Sequence, residues 1–118
     1  METEGFTRRL SAILSINAAG YSRLMRDEDE ATVETLTTDR RILSHLIEQY
    51  RGRVGIFPRD NMLAEFPSVL DAVNCGVEIQ RELAERNADL PENRRMHVRT
   101  RSNLSDVLEE GAAFTEMV

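Results

Sequence analysis

Residues 51–66 read RGRVGIFPRDNMLAEF, and this stretch decides the fold. Val54, Ile56 and Phe57 precede Pro58-Arg59-Asp60-Asn61, while Met62, Leu63, Ala64 and Phe66 follow it. Proline fixes φ, and Asp and Asn tolerate turn conformations, so two apolar runs flanking this tetrapeptide predict a β-hairpin with Asp60 at its tip.

Before the hairpin, Val33, Leu36, Leu43, Leu46, Ile47 and Tyr50 recur at helical spacing and predict a helix from about Glu30 to Tyr50, closed by Gly52. Asp27 and Glu30 have the spacing of a capping box, and Tyr21 to Met25 fit one helical turn. Further back, Leu10, Ala12, Leu14 and Ile16 alternate with Ser11, Ile13, Ser15 and Asn17, the period of a half-buried strand, which Gly20 ends. After the hairpin, Pro67-Ser68 opens a second helix with Val69, Val73, Gly76, Val77, Gln80 and Leu83 along one side and Leu70, Ile79 and Ala84 widening the stripe. The polar segment NADLPENR, 87–94, is a loop. A last strand alternates Met96, Val98, Thr100, Ser102 and Leu104 against His97, Arg99, Arg101 and Asn103.

Strand, helix, strand, strand, helix, strand is the split βαβ order of a ferredoxin-like α+β domain, an antiparallel sheet with both helices on one face. The order is complete within about 8–104, giving a single domain over 1–118, with a tail at 105–118 whose Glu109-Glu110-Gly111 suits a turn into a short strand. First and last strands are neighbours in this topology. Their polar faces therefore combine Ser11, Ser15 and Asn17 with His97, Arg99, Arg101 and Asn103.

At 118 residues the chain has room for one modest core. A net charge of −6 disfavours a general nucleic-acid binder, and the strand faces lack the aromatic platforms that single-stranded RNA recognition uses. All 15 basic residues are arginine, which removes every mechanism that needs a lysine Schiff base, general base or phosphate-binding ammonium. Lone Cys75, in an apolar helical pattern, reads as a packing residue in a reduced compartment. No apolar run is long enough for a membrane helix and METEGFTRRL is no signal peptide, so the expected location is cytoplasmic.

The candidate site residues each have a plainer reading beside the chemical one. Asp60 suits a turn, accepting from local amides, as well as a metal ligand. Asn17 suits a polar strand end. His45 has no second histidine or cysteine nearby to share a metal. His97 sits among arginines on a solvated face. Asp27 to Glu30 lacks the glycine and terminal glutamate of a calcium loop, so helix capping accounts for it. The cluster Arg94, Arg95, Arg99 and Arg101 suits an anion, an acidic protein surface or a merely solvated face.

The stretches RRLSAILSINAAGYSRLMRDEDEATVETL, DNMLAEFPSVLDAVNCGVEIQRELAERNADLPENRRMHVR and NLSDV together resemble the catalytic domain of bacterial class III adenylate/guanylate cyclases over nearly the whole chain. The resemblance implies a ferredoxin-like core, a dimer with active sites between subunits, and two divalent metals held by two aspartates. Its reaction is conversion of ATP or GTP to a 3′,5′-cyclic nucleotide and diphosphate.

Carried over position by position, that chemistry is eroded. The first metal aspartate falls at Asn17, a neutral ligand where bridging two Mg²⁺ or Mn²⁺ ions calls for carboxylate charge. The second matches Asp60, but its flanking glycines are here Arg59 and Asn61. The lysine that selects adenine falls at Ile56, Arg101 and Ser105 replace glycines, and the later base-selecting acid falls among Ala112, Ala113 and Phe114. The family's transition-state asparagine and arginine would fall past Val118. The expectation is a degenerate, carboxyl-terminally truncated cyclase-homology domain with no catalytic or base-binding residue. It would associate with itself or another cyclase-like chain, and bind ATP or GTP with Mg²⁺ or Mn²⁺ only if nucleotide binding persists.

Overall fold

The computed structural model describes residues 7–19, 30–55, 61–110 and 113–116. Its elements are β1 (Thr7–Ala19), α1 (Glu30–Gln49), β2 (Arg53–Val54), β3 (Asn61–Phe66), α2 (Val69–Ala88), a 3-10 turn (Glu92–Arg94), β4 (His97–Glu110) and β5 (Ala113–Glu116). The sheet is antiparallel with order β2-β3-β1-β4-β5, so β1 and β4 are neighbours as the split βαβ reading requires. Tyr21 to Met25, Asp27, Ile56, Phe57 and Asp60 lie outside the described residues.

Period-two alternation on β1 divides the sheet into two faces. Ala12, Leu14 and Ile16 of β1, Met62, Ala64 and Phe66 of β3, and Val98 of β4 pack against Leu36, Leu43, Leu46 and Ile47 of α1 and Ala72, Cys75, Ile79 and Leu83 of α2. Each of these is buried, and at roughly 25 cal/mol per Å² of apolar area the cluster is the main source of stability. Ile13 and Leu63 form a smaller buried pair on the opposite face.

Both helices are ended by local chemistry. Ser68 is the N-cap of α2: its Oγ accepts from the Asp71 amide at 3.1 Å and donates to Asp71 Oδ2 at 3.1 Å. At the end of α1, Arg51 N donates to Glu48 O at 3.0 Å and Gly52 N to Ile47 O at 2.8 Å, the bond pattern of a Schellman motif. Arg51, not glycine, occupies the left-handed position, with φ 66. Gly52 is needed for space instead, because a Cβ there would lie 2.5 Å from the Phe66 ring and 2.9 Å from Ile47 Cγ2.

Three sequence expectations are corrected. On α2 the buried face is Ala72, Cys75, Gly76, Ile79, Leu83 and Asn87, whereas Val69, Leu70, Val73 and Val77 are exposed. The cause is closeness: a Cβ on Gly76 would already meet Leu14 Cδ1 at 3.3 Å, so small residues face the sheet and the valines turn to the flank. The last strand continues past Leu104 to Glu110, because Thr7 to Leu10 of β1 pair with residues 106–109. The stripe on α1 also contains an acid. Asp39 is fully buried and accepts from Arg86 Nε of α2, an ion pair joining the two helices.

At the start of β4, two side-chain amides of α2 cover outward carbonyls. Gln80 Nε2 donates to Val98 O and Asn87 Nδ2 to Met96 O, both at 2.9 Å. Beyond them, among the described residues β5 covers 107–110 of this edge. No described helix is long and apolar enough to cross a membrane.

Candidate functional site

The face of the sheet turned away from α1 and α2 carries the candidate site. Because Leu14 and Ile16 point to the helices, their neighbours Ser15 and Asn17 point away. Register then sets the company they keep. Asn17 stands opposite Arg99 of β4 on one side and Asn61 of β3 on the other; Ser15 stands opposite Arg101 and Leu63; Ile13 stands opposite Asn103 and Glu65. Opposed residues on one face have Cβ atoms about 4.5–5.5 Å apart, within reach of direct contact.

Asn17, His97, Arg99 and Arg101 are exposed. Neither Arg99 nor Arg101 has a hydrogen bond or ion pair with any described residue. The acid nearest to them in register, Glu65, is buried and accepts from Arg53 Nε of β2 at 2.8 Å. One half of this face is thus closed by Ile13, Leu63 and the Arg53–Glu65 pair. The other half, at Asn17, Arg99 and Arg101, is an open cationic patch on an acidic chain.

Of the two metal positions assigned by resemblance, only Asn17 is described. Asn61, the residue after Asp60 in the chain, is opposite Asn17 at this end of β3. Among the described residues no group of three or more His, Cys, Asp or Glu is placed to hold a metal ion. Asn17 with Arg99 beside it is a poor fit to a divalent cation. The amide brings no charge, and the guanidinium opposes a second positive ion at short range.

The basic cluster read from sequence is divided by the fold. Arg95 donates to Leu90 O at 2.9 Å and pairs with Glu92, while Arg99 and Arg101 stay on the open face. His45 is exposed on α1. Cys75 is fully buried, and burial pushes its thiol pKa up to about 12, as suits a packing residue. A groove of about 340 Å³ between the C-terminal half of α2 and the first residues of β4 is lined by Gln80, Leu83, Asn87, Arg95 and Met96, among others. In it Asn87 Oδ1 has no hydrogen-bond partner among the described residues.

Sequence reasoning missed the Asp39–Arg86 pair. Its signal was present: Asp39 lies three residues after Leu36 and four before Leu43, on the apolar stripe itself.

No protein-family model matches the chain. A protein of Rhizobium meliloti (strain 1021) named "Putative adenylate cyclase 3" is 41% identical over 112 residues, which are 93% of this chain and 19% of that protein. The adenylate/guanylate cyclase/hydrolase of Silicibacter pomeroyi superimposes with a TM-score of 0.76 at 32% identity, over 95% of this chain and 66% of that one. The guanylyl cyclase Cya2 gives the same TM-score at 23% identity, over 97% and 66%. The chain thus spans about a fifth of the length of the curated relative.

Proposed function

Because the chain belongs to the class III adenylyl/guanylyl cyclase family of domains, we propose that it is a cyclase-homology domain without turnover of its own, acting by association with a second copy or another cyclase-like chain in signalling. One observation carries the reading. At the strand end where the family resemblance assigns a metal-holding carboxylate, this chain has Asn17 directly opposite Arg99.

Two-metal phosphoryl chemistry draws on carboxylate charge to hold ions that activate the attacking hydroxyl and neutralise the leaving phosphates. A neutral amide facing a guanidinium offers neither the charge nor the affinity. Ile56, at the adenine-selecting position, cannot donate a hydrogen bond, and the chain has no lysine elsewhere to substitute. What remains intact is the scaffold: a sheet with α1 and α2 packed on one face and, among the described residues, no helix on the other and β5 covering the β4 edge at 107–110, an arrangement suited to association.

The test is incubation of the purified protein with ATP or GTP and Mn²⁺, followed by assay for cyclic nucleotide, alongside light scattering for oligomeric state. The expected result is no product and a stable dimer or a captured cyclase-like partner. Turnover abolished by Asn17→Ala would overturn the proposal and support a weak cyclase. A second reading, favoured by the exposed Arg99 and Arg101, is a pseudoenzyme that keeps nucleotide binding without cyclising it.

A further inference from the structure

We propose that the edge of β4 between Arg99 and Asp106 takes up an extended segment of another protein, one that alternates acidic with apolar side chains. The inference rests on the reading of association above and names the surface and the chemistry of one partner. It begins where α2 stops protecting that edge.

Gln80 and Asn87 take the carbonyls of Val98 and Met96, and β5 begins its pairing at Val107. Alternate residues of a strand turn their backbone groups to the same side, so Thr100, Ser102 and Leu104 present N–H and C=O groups outward as Val98 does. Among the described residues no strand pairs with them. A run of unpaired groups about 25 Å long is a template for a further strand.

The flank of α2 above this edge is apolar. Val73, Gln80 and Asn87 recur every seven residues, about two turns, so Val73 shares the stripe whose amides reach β4. Val69, Val77 and Ala84 widen that stripe, and no charged residue falls within it. Arg86 lies on the opposite flank, where it meets Asp39 of α1. Val73 is 43% exposed and Val77 62%, and Leu104, on the same side of the sheet, is 57% exposed. A strand added to β4 would set every second side chain against these three.

The other side of the edge selects charge. Side chains standing opposite Arg99 and Arg101 on an added strand would share the open face with them, where opposite charges attract and like charges are destabilising. A second copy brings no acid to this place. About a two-fold at Thr100 its Arg101 would face Arg99, and about one at Ser102 each arginine would face a neutral residue. The arginines thus guard the edge against its own kind and favour a strand with acids at alternate positions. The chain's net charge of −6 is screened beyond about 8 Å at physiological salt, so the local pairs decide the preference.

The experiment is a fluorescence-anisotropy titration of the whole chain against a labelled, capped heptapeptide that alternates valine with glutamate, at pH 7.5. The expected result is saturable binding, weakened about tenfold by Arg99→Glu and severalfold by Val77→Ser, with the lysine-for-glutamate peptide bound at least tenfold more weakly. Both positions are exposed, and thermal melts check that the variants fold. In an antiparallel pair, the pairing used throughout this sheet, valines opposite Thr100, Ser102 and Leu104 turn their N–H groups to β4. N-methylation of the valines should therefore abolish binding, and N-methylation of the glutamates should leave it.

Absence of binding overturns the proposal. So does equal affinity for the lysine peptide, or for the peptide N-methylated at valine, which would assign contact without strand addition. A dimer of the chain that the peptide dissociates would place a second copy on this edge and overturn the acidic occupant. Failure of the association reading shows as turnover in the cyclase assay, whereas failure of this inference shows in the titration.

Discussion

Replacing Arg86 by methionine should cost more than any surface change in this chain, and the cost should depend on pH. Asp39 is 0% exposed, its Oδ1 accepts from Arg86 Nε, and its Oδ2 has no hydrogen-bond partner among the described residues. Arg86→Met keeps the aliphatic volume but leaves a buried carboxylate uncompensated, a change that costs about 3–5 kcal/mol. Against a total stability of about 5–15 kcal/mol for a single domain, that is a large fraction. At roughly 4 °C per kcal/mol for this size, it lowers Tm by about 12–20 °C.

The pH dependence follows from Asp39. Burial raises its pKa above the ordinary carboxylate value, while the hydrogen bond and charge of Arg86 pull it back only in part. Between an unfolded-state value of about 4 and the raised native value, the native state keeps a proton that the unfolded chain has released. Stability therefore falls as pH climbs through that window. Arg86→Met removes both lowering influences and extends the window upward. Its cost should be about 1 kcal/mol where Asp39 is protonated in both states, the loss of one hydrogen bond, and reach the full figure near neutral pH. Urea unfolding of both proteins at pH 3 and 7.5 measures this, with Asp39→Asn/Arg86→Met expected to lose the part of the pH dependence that Asp39 contributes. Equal costs at the two pH values, or a cost below about 1 kcal/mol at pH 7.5, would refute the reasoning.

Gly52→Ala should destabilise by about 1–3 kcal/mol, seen as a lower urea midpoint, because the new methyl would meet the Phe66 ring at 2.5 Å between residues that have little room to yield. Ser68→Ala should cost about 1 kcal/mol through loss of the α2 N-cap, and Ser68→Asp should retain most of that stability. Cys75 should resist thiol reagents at pH 8 in the folded protein and react promptly in denaturant, since it is 0% exposed and its pKa is pushed up to about 12. Fast labelling under native conditions would contradict that placement.

Strand and helix identities were legible because the chain keeps clean periods. Alternation on β1 and β4 set both faces of the sheet, and the topology then put the polar face holding Asn17 beside the one holding Arg99 and Arg101; which residue stands opposite which came from the register. Where reading by hydrophobicity failed, small residues or special backbone explained it. Valines outrank alanine, cysteine and glycine on any transfer scale, yet α2 presents the small side to the sheet because contact distance governs there. Gly52 read as a helix stop, although the left-handed turn falls on Arg51 and the glycine makes space. Asp39 stood out on the apolar stripe of α1, but its partner lies 47 positions away on another helix, so the ion pair itself could not be read from pattern. For the candidate site, Asp60 and Ile56 were assigned by resemblance and fall outside the described residues. The pairing of Arg99 with Asn17 and of Arg101 with Ser15 needed the register of two distant strands.

The placement of β1 between β3 and β4 has a consequence for synthesis. Residues opposed in the β1–β4 ladder are roughly 80 to 100 positions apart, so closing it carries a large entropic cost before it gains any contacts. At about 5–20 residues per second on the ribosome, β4 is made roughly 4–20 s after β1. Throughout that interval the central strand, with Ile13, Leu14 and Ile16 aboard, has no partner on its β4 side, and nascent chains at this stage are the species most exposed to chaperone capture or aggregation.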